Sequence, residues 1–509
     1  MTIEKDLPQG WAFTKVEAIA DLLRGISYKK DQASKEPMLD YKPVLRANNI
    51  NGSLNFDDLV YVPASLINDE QFIKAGDIVF AMSSGSKHLV GKSARALSAY
   101  DGSYGAFCAL LRPIDSISKD YIYFIFQSND FRRRISETAT GTNINNLKRE
   151  HILDFEFPIP PFNEQKRIVA KIEELFAELD AGVASLELAQ AQLQTYRQAL
   201  LKHAFEGKLT AQWRTANADK LEDAATLLQR IQTERQAHHQ AELATWKEEV
   251  KMWEAGGKNG RKPSKPRPPK DLPPLTPTEL ADLPQLPTGW ATTTLEQLTE
   301  FITSGSRGWA KYYSDNGSTF IRAQNLKYDR LDLSDVAYVS IPNGAEGTRT
   351  KVCKGDLLVT ITGANVTKTG YVKNELEDAY VNQHVALCRL VYPQLIQFVY
   401  YFVISDTGGR RVLEEAAYGA GKPGLNLTNL NELIIPLAPQ KEQEIIVSEI
   451  ESRITVIDQL GQTIIEAFQQ AEALRQSILK KAFAGQLVPQ DPTDEPASAL
   501  LARIRAAKP

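Results

Sequence analysis

At 509 residues, 43% hydrophobic and 24% charged, the chain is too long for one ordinary core and has the composition of a soluble globular protein of several domains. Its three cysteines (Cys108, Cys353, Cys388) are widely spaced and form no CxxC pair, which fits a reducing compartment and argues against a disulfide framework or a zinc site. A net charge of −4 is low for a protein that holds duplex DNA alone, so either the chain is no DNA binder or partners supply most phosphate contacts.

In chain order, residues 1–158 mix short apolar runs with Gly, Asn and Asp turns. Asp77-Ile-Val-Phe-Ala-Met82 reads as a buried strand after a tight turn and Tyr121 to Ile135 as helical, so this part is α+β. Residues 159–207 follow a proline stop (Pro158, Pro160, Pro161) that cannot continue a strand ladder. There Ile172, Leu179, Leu186, Leu193 and Leu200 recur at the seven-residue spacing of a coiled-coil helix, with Leu175, Gly182, Ala189 and Tyr196 as imperfect companions and Gly207 as the stop. Residues 208–285 hold a charged helix from Leu221 to Trp253. The basic, proline-rich run Lys258-Asn-Gly-Arg-Lys-Pro-Ser-Lys-Pro-Arg-Pro-Pro-Lys270 follows, read as an extended solvated tether with a phosphate-binding strip as the alternative.

Residues 286–436 are α+β again, with a strand at Asp356-Leu-Leu-Val-Thr-Ile361 and helical character from Ile396 to Leu413. The most apolar stretch, Leu395 to Ile404, is broken by Gln397 and falls short of the roughly 20 residues of a membrane span. The start of the chain lacks a signal-peptide pattern, and the expected location is cytoplasmic. Residues 437–487 follow Pro436 and Pro439 and repeat the helix pattern with Ile450, Ile457, Ile464, Ala471 and Ile478, companions Arg453, Leu460, Ala467 and Leu474, and a stop at Gly485. In the tail, 488–509, Ala497-Ser-Ala-Leu-Leu-Ala-Arg-Ile504 echoes Ala224-Ala-Thr-Leu-Leu-Gln-Arg-Ile231.

The second half repeats the first. Leu7-Pro-Gln-Gly-Trp11 returns as Leu286-Pro-Thr-Gly-Trp290, Leu45-Arg-Ala-Asn-Asn-Ile50 as Ile321-Arg-Ala-Gln-Asn-Leu326, and Lys74-Ala-Gly-Asp-Ile78 as Lys354-Gly-Asp-Leu357. Glu164-Gln165 and Ala204-Phe205 return as Glu442-Gln443 and Ala482-Phe483. Ordered matches at a nearly constant offset of about 278 residues mark a duplication. Two heptad helices in one register are expected to pair. An antiparallel pair puts one globular part at each end of a rod, and about 38 helical residues make that rod on the order of 57 Å. An insertion at a helix end, near Gly207, is expected to lengthen it.

Catalytic motifs are missing. His88, His151, His203, His238, His239 and His384 form no HExxH or Cys-His metal pattern. Ser86-Lys-His-Leu-Val-Gly-Lys-Ser93 has Ser86 where a phosphate loop needs its first glycine. Ile159-Pro-Pro-Phe162 has an isoleucine where an adenine methyltransferase needs an amide, acid or hydroxyl to hold the target amine, so it reads as a hinge.

Amide, hydroxyl and basic side chains cluster instead in Gly-rich stretches. The first copy offers Arg24, Tyr28, Lys29, Lys30, Arg46, Asn48, Asn49, Ser83, Ser84, Ser86, Lys87, Thr140, Asn143, Asn145, Asn146 and Lys148. The second offers Arg307, Trp309, Lys311, Arg322, Gln324, Asn325, Thr362, Asn365, Lys368, Lys422 and Asn426. Asn and Gln match the adenine edge, Arg the guanine edge, and Lys or Ser the phosphates. Singly these are ordinary loop residues, and Asn48, Asn49 and Asn325 equally suit turn capping. Their weight comes from recurring in both copies.

The repeated framework resembles the specificity subunits of type I restriction–modification systems. The resemblance rests on the Leu-Pro-x-Gly-Trp openings, the helix entries Pro160-Pro161-x-x-Glu164-Gln165 and Pro439-x-x-Glu442-Gln443, and the exits Ala204-Phe-x-Gly-x-Leu209 and Ala482-Phe-x-Gly-x-Leu487. Arg24-Gly-Ile-Ser-Tyr-Lys-Lys30, Arg46-Ala-Asn-Asn-Ile50, Ala81-Met-Ser-Ser-Gly-Ser-Lys87, Gly105-Ala-Phe-Cys108 and Asn143-Ile-Asn-Asn146 resemble one subclass of target recognition domain, which reads a short adenine-containing half-site. The second recognition domain departs more from that pattern. The resemblance implies an α+β fold with two homologous target recognition domains on an antiparallel coiled coil, pseudo-two-fold symmetric. Each domain would read half of a split duplex target. Two modification subunits with S-adenosylmethionine would methylate adenine N6, and restriction subunits would bring ATP and Mg. The chain itself would be non-catalytic and free of cofactor. Two rival readings are a duplicated scaffold that binds proteins rather than DNA, and a free-standing restriction–methylation enzyme, which the missing motifs disfavour.

Overall fold

The computed structural model describes residues 7–84, 90–138, 145–260, 262–266, 268–269, 283–305, 307–327, 329–341, 348–419, 421 and 423–507. Two compact units divide the chain, residues 1–188 with 463–509, and residues 189–462. The near-match to a phosphate loop falls partly on residues 85–89, outside the described set.

In the first unit Ala12–Lys15 pairs antiparallel with Glu156–Ile159, so the entry and exit of the α+β part lie side by side. Between them β1 (Ala20–Arg24), β2 (Ile78–Ala81), β3 (Ser93–Arg95) and β4 (Cys108–Pro113) form an antiparallel sheet in the order β1-β4-β2-β3. A smaller sheet joins Tyr41–Leu45 to Val60–Pro63 and Ser103–Tyr104. The unbroken apolar run of β2 follows from having a core on each face: Ile78 and Phe80 belong to one cluster, Val79 and Ala81 to another. Helices Lys119–Gln127 and Asn129–Thr138 close the first face, with Phe126 edge-on to Phe80 at 4.9 Å between ring centroids. The second unit repeats the plan. Ala291–Thr294 pairs with Ile434–Leu437, and β5 (Thr299–Ser304), β6 (Leu357–Thr360), β7 (Thr369–Tyr371) and β8 (Val385–Leu390) are ordered β5-β8-β6-β7. The helical stretch expected from Ile396 to Leu413 is two helices, Ile396–Val403 and Gly409–Ala416, separated at Gly408.

The repeated Gly-Asp turns now have a cause. Asp77 accepts the Lys74 N–H (2.7 Å) and pairs with Arg112 (2.6 Å); Asp356 accepts the Cys353 N–H (2.7 Å) and pairs with Arg389 (2.8 Å). Both carboxylates are buried, so each is compensated by a turn N–H and a guanidinium.

Four helices tie the framework together: α1 (Phe162–Phe205), α2 (Ala224–Ala255), α3 (Gln440–Phe483) and α4 (Ala497–Ala507). Within the first unit Asp180 of α1 pairs with Arg475 of α3, while Arg167, earlier on α1, pairs with Asp494, beyond the end of α3 (2.7 Å). Within the second unit Arg197 pairs with Asp458 (3.4 Å), and Thr210, beyond α1, donates to Glu442 at the start of α3 (2.6 Å). In each unit the two helices therefore run antiparallel.

Ile172, Leu200, Ile450, Ile457, Ile464 and Ile478 are buried; Leu179, Leu186, Leu193 and Ala471 are half-buried. Of the expected companions, Leu175, Ala189 and Ala467 are half-buried, and the others are exposed. Tyr196, Leu460 and Leu474 are 48%, 49% and 51% exposed, whereas Phe176, Val183, Ile454 and Phe468, four residues after the heptad positions, turn inward. A seam alternates steps of four and three, and the sequence admitted either phase.

The Leu-Pro-x-Gly-Trp motif is the clasp between frame and helices. In the first unit the Trp11 indole donates to Glu164 of α1 (3.1 Å), the Gly10 carbonyl accepts the Ala497 N–H opening α4 (2.8 Å), and Pro8 lies against Gly485. In the second the Trp290 indole donates to Glu442 of α3 (2.9 Å), the Gly289 carbonyl accepts the Ala224 N–H opening α2 (3.0 Å), and Pro287 lies against Gly207. A Cβ on Gly207 or Gly485 would come 2.3 Å from the facing proline Cγ, and both residues have a left-handed φ (+67° and +68°), so only glycine fits. Leu200, Leu201, Ala204 and Phe205 are core residues of the second unit. An insertion near Gly207 would therefore break that core instead of lengthening a free strut.

Candidate DNA interface

In the first unit three segments that follow strands converge on one cavity of about 560 Å³: the run after β1, the turn after Tyr41–Leu45, and the start of the run after β2. They bring Tyr28, Arg46, Asn48 and Ser83 together. Asn48 is exposed and Tyr28 half-buried. Burial pushes the Tyr28 hydroxyl above the usual phenol range, so it stays protonated and can both donate and accept. Ser83 donates to Asn146 Oδ1 (2.6 Å), which adds the end of the domain to the same rim. Arg24, Lys29, Lys30 and Lys148 are exposed.

Phe107 completes the rim. It is an exposed aromatic, 67% accessible, on a backbone with no slack: its carbonyl accepts the Met82 N–H (2.8 Å), and the Cys108 N–H closes the turn on Gly105 (2.8 Å). Sequence reasoning passed over it because an apolar residue beside a strand reads as core. Its place in the Gly105–Cys108 segment was the available signal.

Asn49 has a different job. It is 1% exposed, accepts the Arg46 N–H (2.8 Å) and donates to the Asp57 carbonyl (2.8 Å). Asn325 repeats this, accepting from the Arg322 N–H (2.9 Å) and donating to the Asp332 and Asp335 carbonyls (3.0 and 2.8 Å). Both amides are spent inside their turns and cannot reach a base. Arg46 and Arg322, one step before each turn, are partly exposed and held by loop acids, Asp58 at 2.8 Å and Asp335 at 4.0 Å; each keeps a buried Nε without a partner among the described residues.

In the second unit Arg307, Lys311 and Gln324 are exposed, Thr362 and Lys368 half-buried. Asn365 donates to the Ala323 carbonyl (3.5 Å) and so joins two of the loops. Trp309 is buried, stacked on Phe320 with 5.5 Å between ring centroids, and belongs to a small core with Phe320 and Val339. Asn426 caps the helix Leu427–Asn431 by accepting the Asn429 N–H (2.9 Å). The place of Phe107 before its strand is taken by His384, with Gln383 exposed beside it. Ser86, Lys87, Thr140, Asn143 and Lys422 lie outside the described residues, and the side chains of Ser84 and Asn145 are likewise not described. Among the described residues there is no cluster of metal-ligating side chains and no helix long and apolar enough to cross a membrane.

Comparison with known proteins bears on this geometry. The type I restriction modification DNA specificity domain matches residues 8–185 and again 287–469. The EcoKI type I restriction enzyme specificity subunit of Escherichia coli K12 is 29% identical over 513 residues, covering 98% of this chain and 96% of its own. The StySPI specificity subunit of Salmonella potsdam is 30% identical over 516 residues, with the same two coverages, 98% and 96%. A chain from the solved structures on complex assembly and conformational transition of the type I R-M system shares the fold at a TM-score of 0.59, with 17% identity, over 95% of this chain and 100% of that one.

Proposed function

The chain belongs to the family defined by the type I restriction modification DNA specificity domain, and on that premise we propose that the cavity rim of the first unit and its counterpart in the second each read one half of a bipartite duplex target. The chain is a DNA-specificity subunit and non-catalytic; catalysis resides in partner subunits. The observation that carries the reading is the recurrence of the same post-strand loops, on the same clasped frame, with polar readers at their tips: Tyr28, Arg46, Asn48 and Ser83 in one unit, Arg322, Gln324, Thr362 and Asn365 in the other. Exposed amides match adenine edges, arginines guanine edges, and Arg24, Lys29, Lys30, Lys148, Arg307, Lys311 and Lys368 phosphates.

The partners are two modification subunits that carry S-adenosylmethionine and methylate adenine N6, with restriction subunits bringing ATP and Mg in the full assembly, all in the cytoplasm. Their docking surface is formed by exposed apolar side chains of the long helices. Leu188, Ile465 and Leu474 are 60%, 45% and 51% exposed in the first unit; Tyr196, Val456 and Leu460 are 48%, 53% and 49% exposed in the second. Apolar side chains left in water on paired helices are suited to being covered by a partner subunit. Such partners also supply the cations that a chain of net charge −4 lacks.

The paired helices set the spacer between half-sites. Inserting one heptad between Leu188 and Ala189 and another between Gln462 and Thr463 keeps the seam in phase and adds about 10 Å of helix. Methylome sequencing of a host carrying the variant with its modification subunit is expected to return both half-sites unchanged and a spacer longer by about one to three base pairs, at 3.4 Å per pair. An unchanged spacer with altered half-sites would defeat the reading.

A further inference from the structure

Only the first turns of α2 belong to the second unit's core, through Ala224, Leu227, Ile231 and Arg235. Beyond Arg235, half-buried residues recur at His239, Leu243, Trp246, Val250 and Trp253, a stripe in steps of four and three. The chain's own continuation meets this stripe at its two tryptophans. The Trp246 indole donates to the Pro263 carbonyl (3.0 Å) and the Trp253 indole to the Gly260 carbonyl (3.2 Å). Pro263, Pro266 and Pro269 are half-buried, while Lys262, Ser264, Lys265 and Pro268 are exposed. Three-residue spacing is the period of a polyproline helix, which leaves its carbonyls unpaired and able to meet the two indoles. Prolines also have little freedom to lose on being held. The part of the run that meets α2 is thus a strap seated on the helix; Lys262 and Lys265 are exposed, each with its Nζ 5.9 Å from the ring centroid of Trp253 and Trp246 respectively, so their ammonium groups stay open to solvent on the rim of the indoles.

The strap has a definite place in its unit. Arg235 pairs with Glu296 (2.8 Å), and further on His238 and Glu242 lie close enough to Glu300 to act on its charge. Helix and strand therefore advance in the same sense. From Glu300, β5 and the next residue cover about 16 Å in reaching Gly305, at ~3.3 Å per residue. From Glu242, α2 covers about 16 Å in reaching Trp253, at ~1.5 Å per residue. The strap is thus carried on the part of α2 beyond its approach to Glu300, in the same unit as the exposed cations Arg307 and Lys311.

We propose that this strap is a phosphate-binding ledge of the second unit, gripping the backbone of the duplex just outside the second half-site. The proposal rests on the DNA-reading function above and adds a contact that reads no sequence. From Lys258 to Lys270 the chain carries Lys258, Arg261, Lys262, Lys265, Arg267 and Lys270 with no acid among them, in a protein where acids outnumber bases 63 to 59. A row of ammonium groups on a held backbone suits the regular phosphate spacing of a duplex, and each phosphate neutralised releases counterions.

The test uses the full chain assembled with its modification subunits. The variant Lys258→Gln/Lys262→Gln/Lys265→Gln is compared with wild type by fluorescence-anisotropy titration over a range of salt. The expected result is a slope of log K against log salt shallower by about two to three, equal weakening on cognate duplex and on duplex with an altered half-site, and an unchanged methylated sequence. On a duplex cut off at the outer edge of the second half-site, variant and wild type are expected to bind alike. An unchanged slope on long duplex overturns the ledge, as does loss of the modification subunits from the variant on purification, which would make the strap a protein contact. If the wild-type assembly itself fails to prefer its target, the DNA-reading function falls and the ledge with it. A wild type that discriminates while the slope stays put sinks the ledge alone.

Discussion

The two units repeat each other closely at the frame and diverge at the tip. Trp11 on Glu164 matches Trp290 on Glu442, Asp77 with Arg112 matches Asp356 with Arg389, and the spent amide of Asn49 matches that of Asn325. At the rim, the equivalent of Asn48 in the second unit is Gln324, that of Ser83 is Thr362, and that of Phe107 is His384. Frame residues are buried and each satisfies several partners, so a change in one strands the others. Rim residues answer only to what they bind. Two copies of one scaffold can thus hold different readers, as a split target with unlike halves requires.

The largest effect is expected at the frame. Trp11→Ala and Trp290→Ala each remove a buried indole and leave a buried carboxylate with one donor fewer, at a cost of about 3–5 kcal/mol. Hydrogen exchange should show each loss confined to its own unit. Trp290 has the greater loss to make, since it also packs edge-on to Phe398 and under the Arg214 guanidinium. Equal and small effects would mean that the clasp is not what joins frame to helices.

At the rim the expected effect is on recognition. Phe107→Ala removes an apolar surface already in water, so the melting temperature should hardly move. Contact with a thymine methyl or a base face is worth about 1–3 kcal/mol, so affinity for the first half-site should fall roughly 5- to 150-fold with the second untouched. Gel shifts on duplexes altered in one half-site at a time measure this. Equal loss at both halves would reject Phe107 as a reader.

How far the sequence reached follows the same division. The duplication, the heptad seam and the Gly-Asp turns were legible because packing imposes a period or a fixed motif on them. The inward companions of the seam were not, since a four-three repeat can be phased two ways and Leu460 and Leu474 look as apolar as Ile454 and Phe468. Asn49 and Trp309 were candidates by chemical type, yet burial took both out of reach of DNA. Phe107 was missed for the converse reason: composition reports that a side chain is apolar, not that its backbone is pinned facing water. The strap was missed because prolines and lysines describe a tether until the two tryptophans that hold it are placed on one face of α2.

The smallest expected effect sharpens the comparison inside the frame. Glu442 accepts from Trp290 and Thr210 and has Arg214 Nε at 3.5 Å, whereas Glu164 accepts from two neutral groups, Trp11 and Gln490 (3.3 Å), and burial pushes its carboxyl above the usual range. A carboxyl with a raised folded pKa binds its proton more tightly folded than unfolded, so it lowers stability as pH climbs from the unfolded value through the folded one. Glu164→Gln keeps an acceptor for the Trp11 indole and removes that cost. Its melting temperature should therefore match or slightly exceed wild type at pH 8 and lose the advantage as pH falls towards about 4.5, near the ordinary glutamate value. Glu442→Gln should be lower than wild type at pH 8, because it strips a mostly buried arginine of its counter-charge. Two variants with the same pH profile would show that the two clasps are electrostatically alike, and that divergence in this molecule is confined to the rim.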